Sequence, residues 1–492
     1  MVKAMKIYNE ERNLKQLILF GAGKNGKLAL ERYGKEKVAY FCDNNRELQG
    51  SLVEGIAVVS FEKMVLLHAE GYLIMVTPAS YVLMIGQLER EGIKDYLIFH
   101  PDKASNYMEE LELRENVFAD HNKELDELVK VYAGTDLLED TSMLKMASAK
   151  AIKRSKENGL ILSRLGYNEE GSYYGNCNVI LEYAGIPSEE VKYFPMVSHN
   201  QGWPQFYILF EYRSAVIFSG TYYRSKIHER FPYVPVFSVG PYIHYAKGIY
   251  DKERVVSEKK KNGNTLLIFL PHGTEMVERE YSRERFIDEI IERYDDQFDT
   301  FFMCVYWADI NHDVCKYAEE RGIHVVSAGL RFDSNFDNRL KTILELSDAV
   351  VCGDLGSFVF YALYMGKPVA RVDLTDNRTI PEIEYKSKLE RSIQNTEDEK
   401  IFLERFRQLF DEKFKFNQEQ MQWAGEVNGF QQIRSADYLR EIYDISKDIW
   451  NCCHGDISDY PEAVRRVYRN YDRRSDISKM HILKTAVGNY VE

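Results

Sequence analysis

Long apolar runs are missing from this 492-residue chain, and its N-terminus carries no apolar core. A membrane-spanning helix needs about 18 uninterrupted apolar residues, and a secretory signal needs an apolar segment near its start. Cysteine is scarce and unpatterned, because the one close pair among seven, Cys452 and Cys453, is adjacent and suits neither zinc ligation nor a redox pair. We therefore expect a cytoplasmic protein with reduced thiols and no metal site.

An excess of positive charge is also absent. The chain carries 64 lysines and arginines against 77 aspartates and glutamates, a formal net charge of −13. Neutralising nucleic-acid phosphates requires a basic surface, so we expect no nucleic-acid partner. Hydrophobic residues make up 45% and charged residues 29% of the chain, which is typical of globular proteins, and the length predicts about three domains.

The chain does contain a regular alternation of strand-like and helix-like segments, which predicts an α/β fold with several Rossmann-like, doubly wound parallel sheets. We place a small Rossmann-like domain at 1–104, a helical connector at 105–157, α/β domains at 158–257 and 258–440, and a helical segment at 441–492. The strands predicted for the two later domains are Tyr207–Phe210, Ala215–Phe218, Val234–Phe237, Leu266–Leu270, Thr300–Tyr306, Ile323–Val326, Ala349–Cys352 and Val369–Val372.

A glycine-rich turn follows the first predicted strand of the chain. Gly21, Gly23 and Gly26 lie in the run GAGKNG, and Asp43 ends the next predicted strand. Such glycines permit a tight turn and the close approach of a pyrophosphate, and the aspartate can accept a hydrogen bond from a ribose hydroxyl. The run predicts a nucleotide-binding turn, and it resembles the small Rossmann domains found ahead of bacterial sugar acyltransferases and methyltransferases of surface-polysaccharide pathways.

The strongest binding signal is SDAVVCGDLGSFVFYALYMGKPV, residues 347–369. It reads as a strand, a turn, a helix of about a dozen residues that starts at Gly356 and Ser357, and a turn into the next strand. Free backbone N–H groups and the positive end of the helix dipole would face the ligand crevice there, where a diphosphate can bind. Ser357 would cap the helix or hydrogen-bond a phosphate oxygen; a purely structural turn is the alternative.

A second loop of the same domain, LPHGTE at 270–275, directly follows a predicted strand and should open onto the same crevice. His272 could donate to a phosphate oxygen and stabilise leaving-group charge, with Gly273 and Thr274 beside it. The alternative is that His272 only satisfies a buried turn.

From about Leu266 to Thr375 the chain resembles the GT-B glycosyltransferases and the related teichoic-acid-type glycerophosphotransferases, in which a strand and a small-residue turn lead into a helix and then Gly-Lys-Pro. The resemblance implies that Gly356 and Ser357 contact the donor phosphates and that 158–257 forms the acceptor side. Many such families place an acidic residue in the helix, where this chain has Phe360 and Tyr361, so the donor's identity stays open.

Polar, glycine-containing loops on the acceptor side supply the remaining candidates. An inverting transfer needs a general base on the acceptor hydroxyl, for which His199 is the first candidate and His244 the second. Arg224 could bind an anionic group through a bidentate contact. Structural roles for the histidines, and a solvated position for the arginine, are the alternatives.

We therefore expect a metal-independent glycosyltransferase of the GT-B type that moves a sugar from a nucleotide sugar to a glycan or lipid-linked acceptor in polysaccharide biosynthesis, with no cofactor required. Transfer of a polyol phosphate from a CDP donor, a non-catalytic nucleotide-sugar-binding protein and an NAD-linked oxidoreductase are the alternatives. A basic run near the C-terminus allows peripheral contact with the inner membrane face, although a solvated helix face also explains it. The run comprises Arg465, Arg466, Arg469, Arg473 and Arg474. The sequence indicates no oligomeric state.

Overall fold

The computed structural model describes residues 17–78, 84, 87–88, 90–93, 96–99, 122–139, 141–158, 170–198, 215–221, 224, 227–228, 233–273, 277–373, 378–381, 397–452 and 460–491. The chain divides into two compact units, residues 1–113 with 449–466 and residues 114–448 with 467–492. Within the described ranges, none of the helices has the length and apolar character needed to cross a bilayer.

The first unit contains a mainly parallel sheet with strand order β3-β4-β2-β1-β5-β6, in which only β3 is antiparallel to its neighbour. Its strands are β1 (Leu17–Phe20), β2 (Val38–Cys42), β3 (Leu52–Val53), β4 (Ile56–Val59), β5 (Leu73–Val76) and β6 (Tyr96–Ile98). Helices α1 (Lys24–Tyr33) and α2 (Phe61–Ala69) accompany it. The apolar run of β1 is buried along its whole length, as in a sheet covered on both faces. The predicted Rossmann-like sheet is confirmed.

The second unit begins with helical segments that join a later hydrophobic core. A helix at 122–130 and α3 (Ser142–Asn158) contribute Leu125 and Leu144 to the cluster that contains Leu266 and Met303. The segment predicted as a helical connector is therefore part of the packing around the sheet that follows. Its apolar residues recur at helical spacing because one face of each helix is buried.

A small parallel sheet, in the order β7-β8-β9, comes next in the chain. Its strands are β7 (Met196–Val197), β8 (Val216–Phe218) and β9 (Val236–Ser238), preceded by α4 (Asn176–Ala184) and followed by α5 (Lys252–Asn262). The strands predicted at 215–218 and 234–237 are present with shifted ends. Pro235 lacks an N–H, and β9 begins after it. The predicted strand at 207–210 lies outside the described residues.

The largest sheet of the second unit is fully parallel, with the order β13-β12-β10-β14-β15. Its strands are β10 (Thr265–Phe269), β12 (Thr300–Cys304), β13 (His324–Val326), β14 (Ala349–Cys352) and β15 (Val369–Arg371), while β11 (Val277–Glu280) pairs antiparallel with β16 (Arg378–Pro381). The five predicted strands are confirmed with small changes at their ends. The strand predicted to reach Tyr306 ends at Cys304, because Tyr306 is the N-cap of a short 3-10 helix.

Helices alternate with these strands, and further helices follow the last strand. They are α6 (Arg283–Tyr294), α7 (Asp313–Glu319), α8 (Phe336–Leu346), α9 (Ser357–Tyr364), α10 (Glu397–Leu409), α11 (Gln418–Asn428), α12 (Ala436–Cys452), α13 (Tyr460–Arg474) and α14 (Ile477–Val487). The first part of α12 returns to the region of α4, where an Arg440 Nη1 donates to the carbonyl oxygen of Ala184 at 2.7 Å. Lys447 also lies 3.2 Å from a carboxylate oxygen of Glu190. The first part of α12 therefore packs beside α4 and the segment that precedes β7.

Candidate functional site

The strand order of the five-stranded sheet of the second unit reverses between β10 and β14, which are hydrogen-bonded neighbours. Ligands of open parallel α/β sheets bind beyond the carboxyl ends of the strands at such a reversal, because the chain leaves the two strands in opposite directions and a crevice opens between them. The loop after β10 carries His272 and Gly273, and the loop after β14 carries Gly356 and leads into α9 at Ser357. We call these two loops and the space beyond them the β10–β14 crevice.

Stacked rings hold the two loops of the crevice together. The ring of Phe269, the last residue of β10, lies 3.9 Å from that of Phe358 at an interplanar angle of 9°. A Cβ built on Gly356 would come within 2.5 Å of the Phe358 ring, so this position has no room for a side chain. The aromatic stack fills one side of the turn, and the start of α9 is fixed against the end of β10.

The first turn of α9 differs in two respects from its prediction. The helix spans eight residues, fewer than the dozen predicted, and its N-cap is Gly356 in an extended conformation with φ −145° and ψ 173°. The prediction that Ser357 caps the helix is wrong, because Ser357 is the first helical residue. Glycine has no side chain with which to cap the helix. The N–H of Val359 donates to the carbonyl oxygen of Gly356 at 3.0 Å, which leaves the N–H groups of Ser357 and Phe358 for an anion.

His272 is exposed, which contradicts the alternative of a buried turn histidine. Its ring stacks on Tyr306 at 4.2 Å and 19°, and its Nδ1 lies 2.6 Å from the carbonyl oxygen of Gly273. A carbonyl oxygen only accepts, so Nδ1 carries the proton and Nε2 of the neutral ring is an acceptor. Donation from Nε2 to a phosphate oxygen consequently requires the imidazolium form. Gly273 is buried, and Thr274 lies outside the described residues.

A buried polar network fixes the loop after β13, two strands away from β10. The Tyr132 hydroxyl donates to Asp333 Oδ2 at 2.7 Å and accepts from the backbone N–H of Leu330 at 3.1 Å, while Arg339 forms an ion pair with the same carboxylate. Burial, followed by the Asp333 charge, raises the pKa of Tyr132. Because these residues are far apart in the sequence and no motif marks them, the pattern of residues gave no signal for this network.

His244 lies at the other end of α9 from Ser357. Its Nδ1 is 2.7 Å from the hydroxyl of Tyr364, the last residue of that helix. Seven residues separate Ser357 from Tyr364, which at the rise of an α-helix is about 10 Å along the axis. Burial, followed by the charge of Lys341, lowers the pKa of His244. The structure does not bring His244 to the start of α9.

Two further acceptor-side candidates have different outcomes. Arg224 follows β8 and is half-buried, so the alternative of a fully solvated arginine is not what the structure has. His199 lies outside the described residues.

The glycine turn of the first unit has three different glycine environments. Gly21 has φ +114°, and a Cβ on it would lie 2.7 Å from Pro78. A Cβ on Gly26 would lie 2.0 Å from the carbonyl oxygen of Gly21, so this glycine allows α1 to pack on the turn. A Cβ on Gly23 would meet no atom within 4 Å, which leaves space beside the start of α1. The turn lies where the strand order reverses between β1 and β5.

Asp43 holds this turn from the neighbouring strand end. Its Oδ2 accepts from the backbone N–H of Ala22 at 2.8 Å, and its Oδ1 accepts from that of Asn45 at 2.9 Å. The carboxylate predicted to bind a ribose therefore already has two backbone donors, although each oxygen keeps a further lone pair for a ligand.

No family model matches the chain, and no curated protein matches it. Among solved structures it is similar to UDP-GlcNAc 2-epimerase from Neisseria meningitidis bound to UDP-GlcNAc, with 12% identity, a TM-score of 0.26, and coverage of 89% of this chain and 99% of that chain. A UDP-glucosyltransferase from Polygonum tinctorium gives 12% identity, a TM-score of 0.22, and coverage of 93% and 99%. Such low TM-scores carry no argument about function, and the α/β assignment rests on the strand orders above.

Proposed function

We propose that the β10–β14 crevice binds the diphosphate of a nucleotide sugar and that the chain is a glycosyltransferase of the GT-B type. The observation that carries this proposal is that the end of β10, which leads into the His272 loop, and the start of α9 at Ser357 meet through stacked rings at the point where the strand order reverses. The N-terminus of α9 has a glycine cap, which supplies no side-chain acceptor to the first N–H groups. A diphosphate would supply the missing acceptor oxygens.

In sugar transfer, this arrangement would stabilise the charge of the leaving group. When the bond between the sugar and the diphosphate breaks, negative charge grows on the departing phosphate oxygen. Backbone N–H groups and a helix dipole aimed at that oxygen stabilise it more in the transition state than in the bound donor, which accelerates the reaction. A protonated His272 would add a charge-assisted hydrogen bond from Nε2. Under this proposal the transfer requires no cofactor.

The acceptor is proposed to be a glycan or a lipid-linked saccharide, bound on the side of the β7-β8-β9 sheet. His199 remains the proposed general base for its hydroxyl. Action on a lipid-linked acceptor in polysaccharide biosynthesis would place the protein in the cytoplasm, with peripheral contact at the inner membrane face through the basic run at 465–474.

A donor screen tests the proposal because different transfers release different nucleotides. Purified protein is incubated with UDP-, GDP- and CDP-linked sugars, CMP-linked sugar and CDP-glycerol, and the products are measured by mass spectrometry. Sugar transfer or hydrolysis releases a nucleoside diphosphate from the diphosphate-linked donors and CMP from the CMP-linked sugar, whereas polyol phosphate transfer releases CMP from CDP-glycerol. We expect nucleoside diphosphate release that falls at least about tenfold in His272→Ala, the loss expected for one charge-assisted hydrogen bond. The matched control His324→Ala, an exposed histidine at the amino end of β13, should keep full release. Binding with no release, or CMP release from CDP-glycerol alone, would contradict the proposal.

A further inference from the structure

The carboxyl edge of the small β7-β8-β9 sheet carries two arginines that come from distant parts of the chain. Arg224 lies a few residues after β8, and Arg434 lies between α11 and α12. Both side chains are partly buried. Since ligands of parallel sheets bind at the carboxyl ends of the strands, this edge is the place where the second unit could hold an acceptor.

Arg434 is fixed in place by hydrogen bonds at this edge. Its Nε donates to the carbonyl oxygen of Ser238 at 3.0 Å, and its Nη2 donates to Gln432 Oε1 at 2.8 Å. The Oγ of Ser238 in turn donates to the carbonyl oxygen of Gly220 at 2.9 Å. Arg434 is thereby tied through Ser238 to the turn that leads into Arg224.

The backbone of the turn that follows β8 is closely packed against the end of α11. A Cβ on Gly220 would come within 2.2 Å of the carbonyl oxygen of Val427, near the end of α11. A Cβ on Gly429 would come equally close, at 2.2 Å, to the carbonyl oxygen of Ser219. The two backbones touch with no room for a side chain between them. The start of the Arg224 segment therefore has one position relative to the loop that carries Arg434.

The guanidinium of Arg224 has no hydrogen-bond or ion-pair partner among the described residues. The Arg224 side chain is half-buried, and this burial lowers its pKa. The pKa of His228, four residues later, is lowered first by burial and then by the positive charge of Arg224. The charges of Arg224 and Arg434 both act on Tyr438 and oppose the rise that burial causes in its pKa. The Arg434 guanidinium lies 4.7 Å from the centre of the Tyr438 ring.

Nearby carboxylates of α12 have partners elsewhere. Asp437 forms an ion pair with Arg440, and both carboxylate oxygens of Glu441 accept from the Ser478 Oγ at 2.9 Å. A partly buried positive charge without a counterion lowers stability unless an anion neutralises it. The arrangement is therefore incomplete in the free protein.

We infer that Arg224 and Arg434 form an anion site for the acceptor, which would be a saccharide bearing a phosphate or a carboxylate. A planar guanidinium suits both groups, since its paired N–H donors match two oxygens of either one. Describing the ligand as an acceptor rests on the proposed function, but the anion site itself does not. We call this pair of arginines the Arg224–Arg434 site.

The test measures binding of glucose 1-phosphate and of glucuronate by isothermal titration calorimetry at constant ionic strength. The full chain is compared with Arg224→Gln, and Arg285→Gln, an exposed arginine of α6, is the matched control. We expect at least one of the two sugars to bind, with a Kd that rises at least about tenfold in Arg224→Gln, the loss expected for a charge-assisted hydrogen bond, and does not change in the control. Which sugar binds identifies the anionic group.

Two further measurements distinguish an anion site from a structural arginine and from sugar binding at the donor crevice. Without sugar, Arg224→Gln should melt no lower than the original chain, because the guanidinium has no partner to lose. Ser357→Pro, which alters the proposed donor site, should keep the sugar binding that Arg224→Gln removes. The inference is overturned if neither sugar binds, if Arg224→Gln binds as the original chain does, or if binding is lost only in Ser357→Pro. UDP binding is also measured on the same variants. Absence of UDP binding would count against the donor site and leaves the result for the Arg224–Arg434 site unaffected.

Discussion

The hydroxyl of Tyr132 donates a 2.7 Å hydrogen bond to the fully buried carboxylate of Asp333, although 201 residues separate them in the chain. The same hydroxyl accepts from the backbone N–H of Leu330, so a single side chain from the predicted connector ties down the loop beyond β13. Gly329, with φ +95°, permits this approach, because a Cβ there would lie 2.8 Å from the hydroxyl.

Tyr132→Phe tests how much the two hydrogen bonds of this hydroxyl contribute to stability. Removing the hydroxyl leaves the Leu330 N–H without its acceptor and takes one donor from Asp333, so we expect a loss of about 1–3 kcal/mol in the free energy of unfolding. Tyr317 offers a matched control, since its exposed hydroxyl donates to Asp288 at the same distance of 2.7 Å. Chemical denaturation should show no measurable change for Tyr317→Phe. Equal effects of the two substitutions would contradict a special role for burial.

His244 makes the stability of the second unit depend on pH. Burial lowers its pKa in the folded chain. As the pH falls below about 6.5, the ordinary histidine value, the unfolded chain takes up a proton that the folded chain does not, so folding is weakened between that pH and the lowered pKa. His244→Asn, whose amide can replace the contact of Nδ1 with Tyr364, should lose part of this dependence in urea unfolding at pH 7.5 and 5.5.

The remaining dependence has a second source in His228, whose pKa is also lowered by burial. A variant with both histidines replaced should therefore lose more of the pH dependence than His244→Asn alone. A difference between pH 7.5 and 5.5 that is unchanged in His244→Asn would show that this histidine titrates alike in the folded and unfolded chains.

Gly23 and Gly26 make a matched pair in the first unit. Alanine at Gly26 would gain helix propensity, but its Cβ would lie 2.0 Å from the Gly21 carbonyl oxygen, so we expect Gly26→Ala to cost about 1–3 kcal/mol in unfolding free energy. Gly23 has φ −76° and open space around its Cβ direction, so Gly23→Ala should leave stability nearly unchanged. Thermal denaturation of both variants measures the difference, and equal melting temperatures would contradict the close packing of Gly26 against the Gly21 carbonyl.

Local patterns predicted those parts of the fold that are determined locally. Ala349–Cys352 is a strand with its predicted bounds because four consecutive apolar residues, preceded by Asp348 and followed by Gly353, suit a buried parallel strand. The GAGKNG turn and the loop after β10 were predicted for the same kind of reason. The position of Gly356 as the helix cap was missed, because a serine beside a glycine is ordinarily the better cap.

Contacts between distant segments could not be predicted from these patterns. The pairing of Tyr132 with Asp333, and that of His244 with Tyr364, depends on how helices pack on the finished sheet. The link from Arg434 through Ser238 to the turn after β8 has the same origin. A single sequence lists these residues but does not show which of them are in contact, so these pairs could be recognised only from the structure.

The proposed diphosphate binding relies on backbone N–H groups at the start of α9, and Ser357→Pro removes one of them. Proline is tolerated at the first helical position, and the extended Gly356 suits a residue that precedes proline, so the substitution removes one N–H while the helix is kept. Ser357→Ala keeps that N–H and removes only the hydroxyl. Calorimetric titration with UDP, CDP and GDP should show, for the nucleotide that binds, a Kd raised at least about tenfold in Ser357→Pro and by less in Ser357→Ala. Unchanged affinity in a folded Ser357→Pro protein would contradict this assignment.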